Sequence, residues 1–584
     1  MRTDFNSKKK HKSPQSLLRA RILVGIIFLI FIGVQARLFY WQIIKGTTLE
    51  VQASKQYEKL IINTGKRGSI YTSDDHLLVG NEKVYRLFAE PHLYKESQDK
   101  INKQISDLLL DLNQEYKEAT ESALREQLED EFDTFLEEKL SIRDKKWVGI
   151  ISGVNEEVKS QIEALNISGL GFDPYFQRFY PEASMAAHVT GFVGKDENGE
   201  AIGYFGVEGS LNKELSAKTD KQLQSSFTLD DSLQNKINGR DVTLTIRRDV
   251  QFLIENELKA AIEKYQAKSG EVIVMEPQTG KVLGLASYPN YDQKQFYKYP
   301  TELYKNPSIS NFYEPGSTFK SLTVAIGIDQ NTIKPETECD VCAEARTIGK
   351  YTIKTWNDVY NPNINMTDAL AKSDNTAMIF IEEQIGSNNF IDYIKRFGFG
   401  QNVTNDLQED STPSFPDKWG PVELATRSFG QGISATSLQV IRAINTIANG
   451  GLMVQPQFIE KVTDVETNQV IDSEVIELEQ IISKETAETV TKMMIEAANH
   501  GEAQWIATSD YLVAGKTGTS QVVKDTGGYD DEKTIASFIG FAPADHPKFI
   551  MLTKLNEPTT SPWAAETAAP LWYKISDKLI LMLE

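Results

Sequence analysis

The chain has only two cysteines among 584 residues, Cys339 and Cys342, and their C-x-x-C spacing narrows what they can do. Two thiolates cannot close a tetrahedral zinc site, and no second pair or nearby histidine completes one. A dithiol redox centre would need a thioredoxin-like setting, which is missing. A local disulfide and a pair of free thiols remain open, neither with a catalytic role. Histidine is scarce too. His11, His76, His92, His188, His500 and His546 all lie away from the motifs described below, so each reads as structural or on the surface, with His188 assigned to the front domain. No phosphate-cradling glycine loop and no helical zinc motif occurs. Positive charge is also short: 62 Lys and Arg against 82 Asp and Glu give a net charge of −20, which excludes a nucleic-acid-binding class.

The few basic residues are unevenly placed. Residues 1–21 hold Arg2, Lys8, Lys9, Lys10, Lys12, Arg19 and Arg21 against Asp4 alone. Behind them Ile22 to Ala36 is uncharged and apolar, and the run extends through Arg37 to Ile44. As a helix it would cover about 35 Å, enough for a hydrocarbon core of about 30 Å. Cations ahead of the span predict a single-pass plasma-membrane protein with a cytoplasmic N-terminus and everything after the span outside. Tyr40 and Trp41 suit the outer interface. A cleaved signal peptide ending at Val34-Gln35-Ala36 is the competing reading, but apolar character continuing beyond it favours a retained anchor.

Length alone calls for two or three domains. The expected division is a basic cytoplasmic tail at 1–21, an anchor at 22–44, a front domain at 46–235 and a larger domain at 240–584. In the front domain Lys83–Ala89 reads as a strand. The acidic tract 96–142, with Leu108–Leu110, Leu124, Leu128, Phe132 and Phe135-Leu136, reads as amphipathic helices with a solvated face. From 240 on, Val242–Ile246 alternates like a strand and a helical repeat follows from Asp249. Gly270–Met275 and Lys281–Ser287 read as strands joined by a Pro277–Gly280 turn. Helical segments fill the middle. Strands return at 512–519, 534–541 and 548–554, and a final helix covers about 565–583. The resulting class is α+β: an antiparallel sheet built from both ends of the domain, with a helical insert.

Three short motifs carry chemistry. Ser317-Thr-Phe-Lys320, in the run Tyr313-Glu-Pro-Gly-Ser317, puts a hydroxyl and an amine on one helical face. Such a pair can form an acyl-enzyme without histidine. Pro315 and Gly316 end the preceding segment, and Ser317 then sits where helix N–H groups favour an anion. Ser373-Asp374-Asn375 and Lys516-Thr517-Gly518-Thr519 follow. Ser-x-x-Lys alone means little, since it recurs at Ser7, Ser97 and Ser210; the ordered triple in these settings is the signal. A helix cap, a turn and a strand end would account for each motif singly, but not for all three together.

With these residues the chain resembles the class B penicillin-binding proteins, monofunctional peptidoglycan D,D-transpeptidases. The resemblance runs over almost the whole length. It includes Arg67-Gly-Ser-Ile-Tyr71, Arg178-Phe-Tyr-Pro181, Ala187–Gly191, Gly206-Val-Glu-Gly209, Gly430-Gln-Gly432 and Ala448–Gly451. It departs at Thr72 and Ser73, where the family has Asp-Arg. The resemblance implies a penicillin-binding transpeptidase fold on an elongated pedestal or dimerisation domain, with no metal or organic cofactor. Ser317 would be the nucleophile and Lys320 its base, the latter requiring burial or a second cation to lower its pKa. Lys516 would supply that cation, Ser373 would relay a proton and Asn375 would hold the substrate amide. Thr517, Gly518 and Thr519 would bind the substrate's terminal carboxylate and let the strand approach. The N–H groups of Ser317 and Thr519 would form the oxyanion hole. Implied partners are stem peptides, β-lactams, a polytopic glycan polymerase and other division-complex membrane proteins, since the stretch Ser537–Pro543 and the lack of long insertions lean toward a septal role.

Rival readings are a serine β-lactamase and a non-catalytic scaffold or β-lactam sensor. A lactamase needs a water-activating glutamate, usually Glu-x-x-Leu-Asn between the second and third motifs. Here that pattern occurs only as Glu208–Asn212, upstream of the nucleophile, and is read as chance. Intact Ser317, Lys320 and Lys516 argue against a decayed enzyme. A bifunctional enzyme would need a glycosyltransferase domain after the anchor, for which no motif is visible.

Overall fold

The computed structural model describes residues 14–45, 59–112, 114–197, 199–224, 238–416, 418–506, 510–524 and 527–583. Most of the basic tail lies outside these. From Pro14, however, the chain is already helical, so the last part of the expected unstructured tail is the first turns of a helix spanning Pro14–Phe39. A π-helical turn, Tyr40–Ile44, extends it. Arg21–Ile44 is long and apolar enough to cross a membrane and buries none of that surface in the protein.

The chain forms two compact units, 1–64 with 218–237, and 65–217 with 238–584. Besides the apolar helix, the first contains an antiparallel ribbon of Lys59–Thr64 with Thr219–Gln224. Everything else belongs to the second.

Within the second unit, a sheet orders its strands Gln469–Asp472, Ile459–Asp464, Asp241–Leu244, Ile70–Tyr71, Leu77–Ala89 and Val148–Val154, with Leu170–Phe179 also paired to Leu77–Ala89. The strand expected at 242–246 therefore does not join the main sheet of the larger domain. It runs parallel to Ile70–Tyr71 and antiparallel to Ile459–Asp464, stitching the front segment to the rest. The acidic tract is helical, as Gln98–Leu110, Gln114–Glu118 and Ser122–Ser141. Ile101, Ile105 and Leu109 on one helix and Phe132, Leu136 and Leu140 on another repeat every four residues and are buried against Leu87 and Ile150. Phe135 falls off that stripe and stays exposed, as does Leu124 two repeats ahead of Phe132, in the first turn of its helix.

One cluster pins the front segment. Arg67 Nε donates to Glu208 Oε2 (2.6 Å) and Arg178 Nε to Glu208 Oε1 (2.7 Å), and the glutamate is fully buried. Glu208 thus anchors two arginines, a structural duty for the motif read as chance. Nearby His188 is buried, with Nε2 2.9 Å from the Leu303 carbonyl, and burial pushes its pKa down to about 4.

The main sheet is fully antiparallel, in the order Val282–Tyr288, Ser269–Met275, Phe549–Asn556, Tyr529–Ala542 and Ala514–Val523. Both ends of the domain supply it, as the pattern predicts. Alternate residues feed two cores. Val272, Val274, Phe538 and Met551 meet the helices Arg248–Tyr265 and Ala568–Met582, around Trp572. Ile273, Ile539, Phe541 and Leu552 face the helical insert on the other side. With both faces covered, Val272–Met275 and Phe549–Leu552 are continuously apolar.

The insert is not purely helical. Short antiparallel pairs, Glu338–Cys339 with Ile364–Asn365 and Arg346–Ile348 with Tyr351–Ile353, project between the helices Lys320–Asp329 and Met366–Ala371. Cys339 and Cys342 are joined in a disulfide at the base of this excursion, which settles the alternative left open by their spacing.

Candidate active site

The three motifs converge. Gly316–Phe319 form one 3-10 turn, and the α-helix begins at Lys320. The single helix expected from the sequence is thus two pieces, with Ser317 in the turn and Lys320 as the first α-helical residue. Because positions i and i+3 eclipse in a 3-10 turn, hydroxyl and amine still share a face. Behind them Leu322, Val324, Ala325 and Ile326 are buried and hold the helix in place.

Ser373 takes a left-handed backbone, φ +57°. Asp374 then caps the helix Asn375–Ile385, accepting the amides of Thr376 (2.8 Å) and Ala377 (3.2 Å). This reversal aims Ser373 and Asn375 at one point. Lys320 Nζ donates to the Ser373 carbonyl (2.6 Å), Ser373 Oγ (3.1 Å) and Asn375 Oδ1 (2.7 Å).

The third motif arrives on Ala514–Val523. A β-carbon at Gly518 would lie 2.7 Å from Thr318 Cγ2 and 2.8 Å from Ser537 Oγ, so only glycine lets this strand press against the serine turn. Lys516 Nζ donates to Ser373 Oγ (3.2 Å) and Thr517 Oγ1 (3.1 Å). Ser373 Oγ therefore bridges two buried lysines, neither of which makes an ion pair among the described residues.

That arrangement lowers both amines. Burial, reinforced by the neighbouring Lys516 charge and opposed by Glu502 and Asp374, brings Lys320 down to about 7. Burial also lowers Lys516, with Glu502 opposing. Near neutrality Lys320 can thus shed a proton. As an ammonium it fills three acceptors; as a neutral amine it keeps two protons and gains a lone pair, so deprotonation must free one of those contacts. The Ser317 hydroxyl, half-buried beside it, takes part in none of these hydrogen bonds.

Two contacts were not legible beforehand. Thr517 Oγ1 donates to Glu502 Oε2 (2.8 Å), making Glu502 the carboxylate that balances this end of the site. It follows the helix Lys484–His500 with no motif to mark it, and only the fold brings it near Lys516. Thr519 Oγ1 accepts the amide of Ala564 (3.2 Å) and keeps its own proton to donate.

The chain has counterparts among known proteins. Residues 270–577 match the penicillin binding protein transpeptidase domain, and 62–244 the penicillin-binding protein dimerisation domain. Stage V sporulation protein D of Bacillus subtilis is 30% identical over 572 residues, covering 95% of this chain and 84% of the relative. The peptidoglycan D,D-transpeptidase FtsI homolog of Mesostigma viride is 28% identical over 596 residues, covering 96% and 95%. In fold, the crystal structure of penicillin-binding protein 2X from Streptococcus thermophilus superposes with a TM-score of 0.72 at 22% identity, over 89% of this chain and 80% of that one. A transpeptidase-domain match spanning more than half the chain, together with a dimerisation-domain match ahead of it, makes this chain a member of the class B penicillin-binding proteins.

Proposed function

We propose that this protein is a serine D,D-transpeptidase that cross-links peptidoglycan stem peptides and is acylated by penicillins. The observation that carries this is the pair of buried lysines, neither in an ion pair among the described residues, that converge on Ser373 next to the Ser317 turn.

In the reaction the neutral Lys320 amine takes the Ser317 proton as Oγ attacks the carbonyl between two terminal D-alanines. The N–H groups of Ser317 and Thr519 receive the oxyanion, each such donor contributing about 3 kcal/mol. As the C–N bond breaks, Ser373 passes a proton from Lys320 to the departing D-alanine amine. An acceptor amine on a second stem then attacks the Ser317 ester, losing its proton along the same route and restoring the hydroxyl. Lys516, with Thr517 and Thr519, binds the donor's terminal carboxylate, while Asn375 holds its amide.

Relatives named as D,D-transpeptidases support this reading. FtsI-type relatives favour a septal role, with the protein anchored by its apolar helix, N-terminus inside, beside a polytopic glycan polymerase. Purified full-length protein exposed to a fluorescent penicillin tests the chemistry. Durable labelling that disappears in Ser317→Ala is expected; rapid turnover would indicate a lactamase, and no labelling a scaffold. Depletion yielding rounded or swollen cells instead of filaments would overturn the septal assignment.

A further inference from the structure

Residues 465–480 are exposed without a break, yet they do not read as a polar loop. The chain turns back on Ile459–Asp464 to form the strand Gln469–Asp472. After Ser473–Ile476 it forms a second strand, Glu477–Gln480, against Leu452–Val454. Val470 and Ile471 point to opposite faces of the first strand, and both are about half exposed, at 48% and 50%. Neither face is buried. Val475, Ile476 and Leu478 continue the aliphatic surface.

The outer edge is open as well. Gln469–Asp472 ends the sheet that runs through Ile459–Asp464 to the front segment, and no strand among the described residues pairs with its other side. Ser473 N donates inward, to the Glu460 carbonyl (2.8 Å). Backbone groups alternate sides along a strand, so those of Val470 and Asp472 face outward. An open edge lined with aliphatics is a template for another strand, which folds usually blunt with lysine, proline or a covering element. Residues 465–480 contain no lysine, arginine or proline.

What the stretch does contain is acid. Asp472, Glu474 and Glu477 make no ion pair among the described residues, whereas Glu479 is held by Arg396 at 2.9 Å. Lys461 stands opposite Asp472 on the inner strand and forms no ion pair with it. Pairing two copies edge to edge would set these carboxylates against themselves, which is unfavourable. The chain's own basic residues, at 1–21, precede the apolar helix and in the proposed topology lie across the membrane. The complementary occupant is therefore an extended segment of another protein in which lysine or arginine alternates with aliphatic residues. Its cations would lie on the face shared by Val470 and Asp472, and its aliphatics on the face of Ile471. We propose that the edge Gln469–Asp472, with the acidic and aliphatic stretch that follows it, docks such a segment by strand addition.

The test titrates short labelled peptides against full-length protein at about 0.15 M ionic strength. One peptide alternates lysine with valine, a second has glutamate for lysine, and a third has proline for valine, which keeps the charge but cannot form a ladder strand. The lysine–valine peptide is expected to bind at least about tenfold more tightly than either of the others, the scale of one lost charge-assisted hydrogen bond. Combining Asp472→Lys, Glu474→Lys and Glu477→Lys should turn the preference toward the glutamate peptide. Val470→Pro, which removes an outward amide, should weaken the lysine–valine peptide. Both variants should keep fluorescent-penicillin labelling. Absence of binding to the wild type, equal binding of the proline peptide, or a preference unmoved by charge reversal would overturn the inference. So would dimerisation of the wild type that Val470→Pro abolishes, because the occupant would then be a second copy.

Discussion

Two buried charge clusters in this molecule are built on opposite rules. Around Glu208, Arg67 and Arg178 each meet a carboxylate oxygen directly, at 2.6 and 2.7 Å. Around Ser373, Lys320 and Lys516 meet only hydroxyls, two carbonyls and an amide oxygen. The difference does not follow from the two regions having different lysine chemistry, because the catalytic half also has a buried lysine of the first kind. Lys554 pairs with Glu271 at 2.6 Å, both almost wholly buried, with Ser437 and Ser308 completing the contacts. A paired ion holds its charge and fixes geometry. Withholding the carboxylate from an equally buried amine makes its proton easy to lose, which an acyl-transfer base requires. Pairing marks where the fold is secured, and its absence marks where protons move.

The largest effect separates the clusters outright. Ser317→Ala should reduce acylation by fluorescent penicillin on the order of 10⁶-fold, the scale of a lost serine nucleophile, with the melting temperature unchanged. Labelling that survived would put the nucleophile elsewhere.

Glu208→Ala should act the other way round. It leaves two buried guanidiniums facing one another, and removing one partner of a buried ion cluster costs about 3–5 kcal/mol. A lower denaturant midpoint is expected, with the acylation rate of the folded fraction retained. Loss of acylation without loss of stability would show that the clusters are coupled.

How much of this contrast was visible in the sequence depends on distance along the chain. Ser317 and Lys320 share a face because they are three residues apart, a local fact that survived the replacement of the expected α-helix by a 3-10 turn. Gly270–Met275 was likewise legible as a strand, and its unbroken apolar run Val272 through Met275 fits the burial of both faces that the structure shows. Glu502 was not legible as a neighbour of the lysines, because no motif marks it and only the turn from helix to strand brings it to Thr517. The strand at Asp241–Leu244 was found but placed in the wrong sheet. Periodicity reports that a segment is extended and which residues point inward, not which of two sheets will pair with it. Glu208 was read only as part of the front-domain stretch Gly206–Gly209, and its ion cluster was not legible, since its arginines lie 141 and 30 residues away.

A smaller effect tests whether the insert is independent of the cleft. Cys339–Cys342 closes a loop of very few residues, so the chain-entropy account gives it about 2 kcal/mol. Reduction should lower the melting temperature modestly and leave penicillin labelling unchanged. Slower labelling after reduction would mean that this excursion helps position Ser373.

The smallest and most informative effect is on pH. In the proposed mechanism Lys320 serves as a base only when neutral, and its pKa is lowered to about 7 by burial first and the Lys516 charge second. Above that value the amine is free and acylation should be flat. Below it the protonated form accumulates, and the rate should fall about tenfold per pH unit. Lys516→Met removes the second cause, so the Lys320 pKa rises and the falling limb moves to higher pH. At pH 7 the variant should therefore acylate more slowly than the wild type, and raising the pH should recover part of the difference, leaving a residue due to the lost carboxylate contact. A limb that stays in place in Lys516→Met would show that burial alone sets the base. The absence of a carboxylate around Lys320 would then matter to its chemistry, while the nearness of the second lysine would matter only for binding.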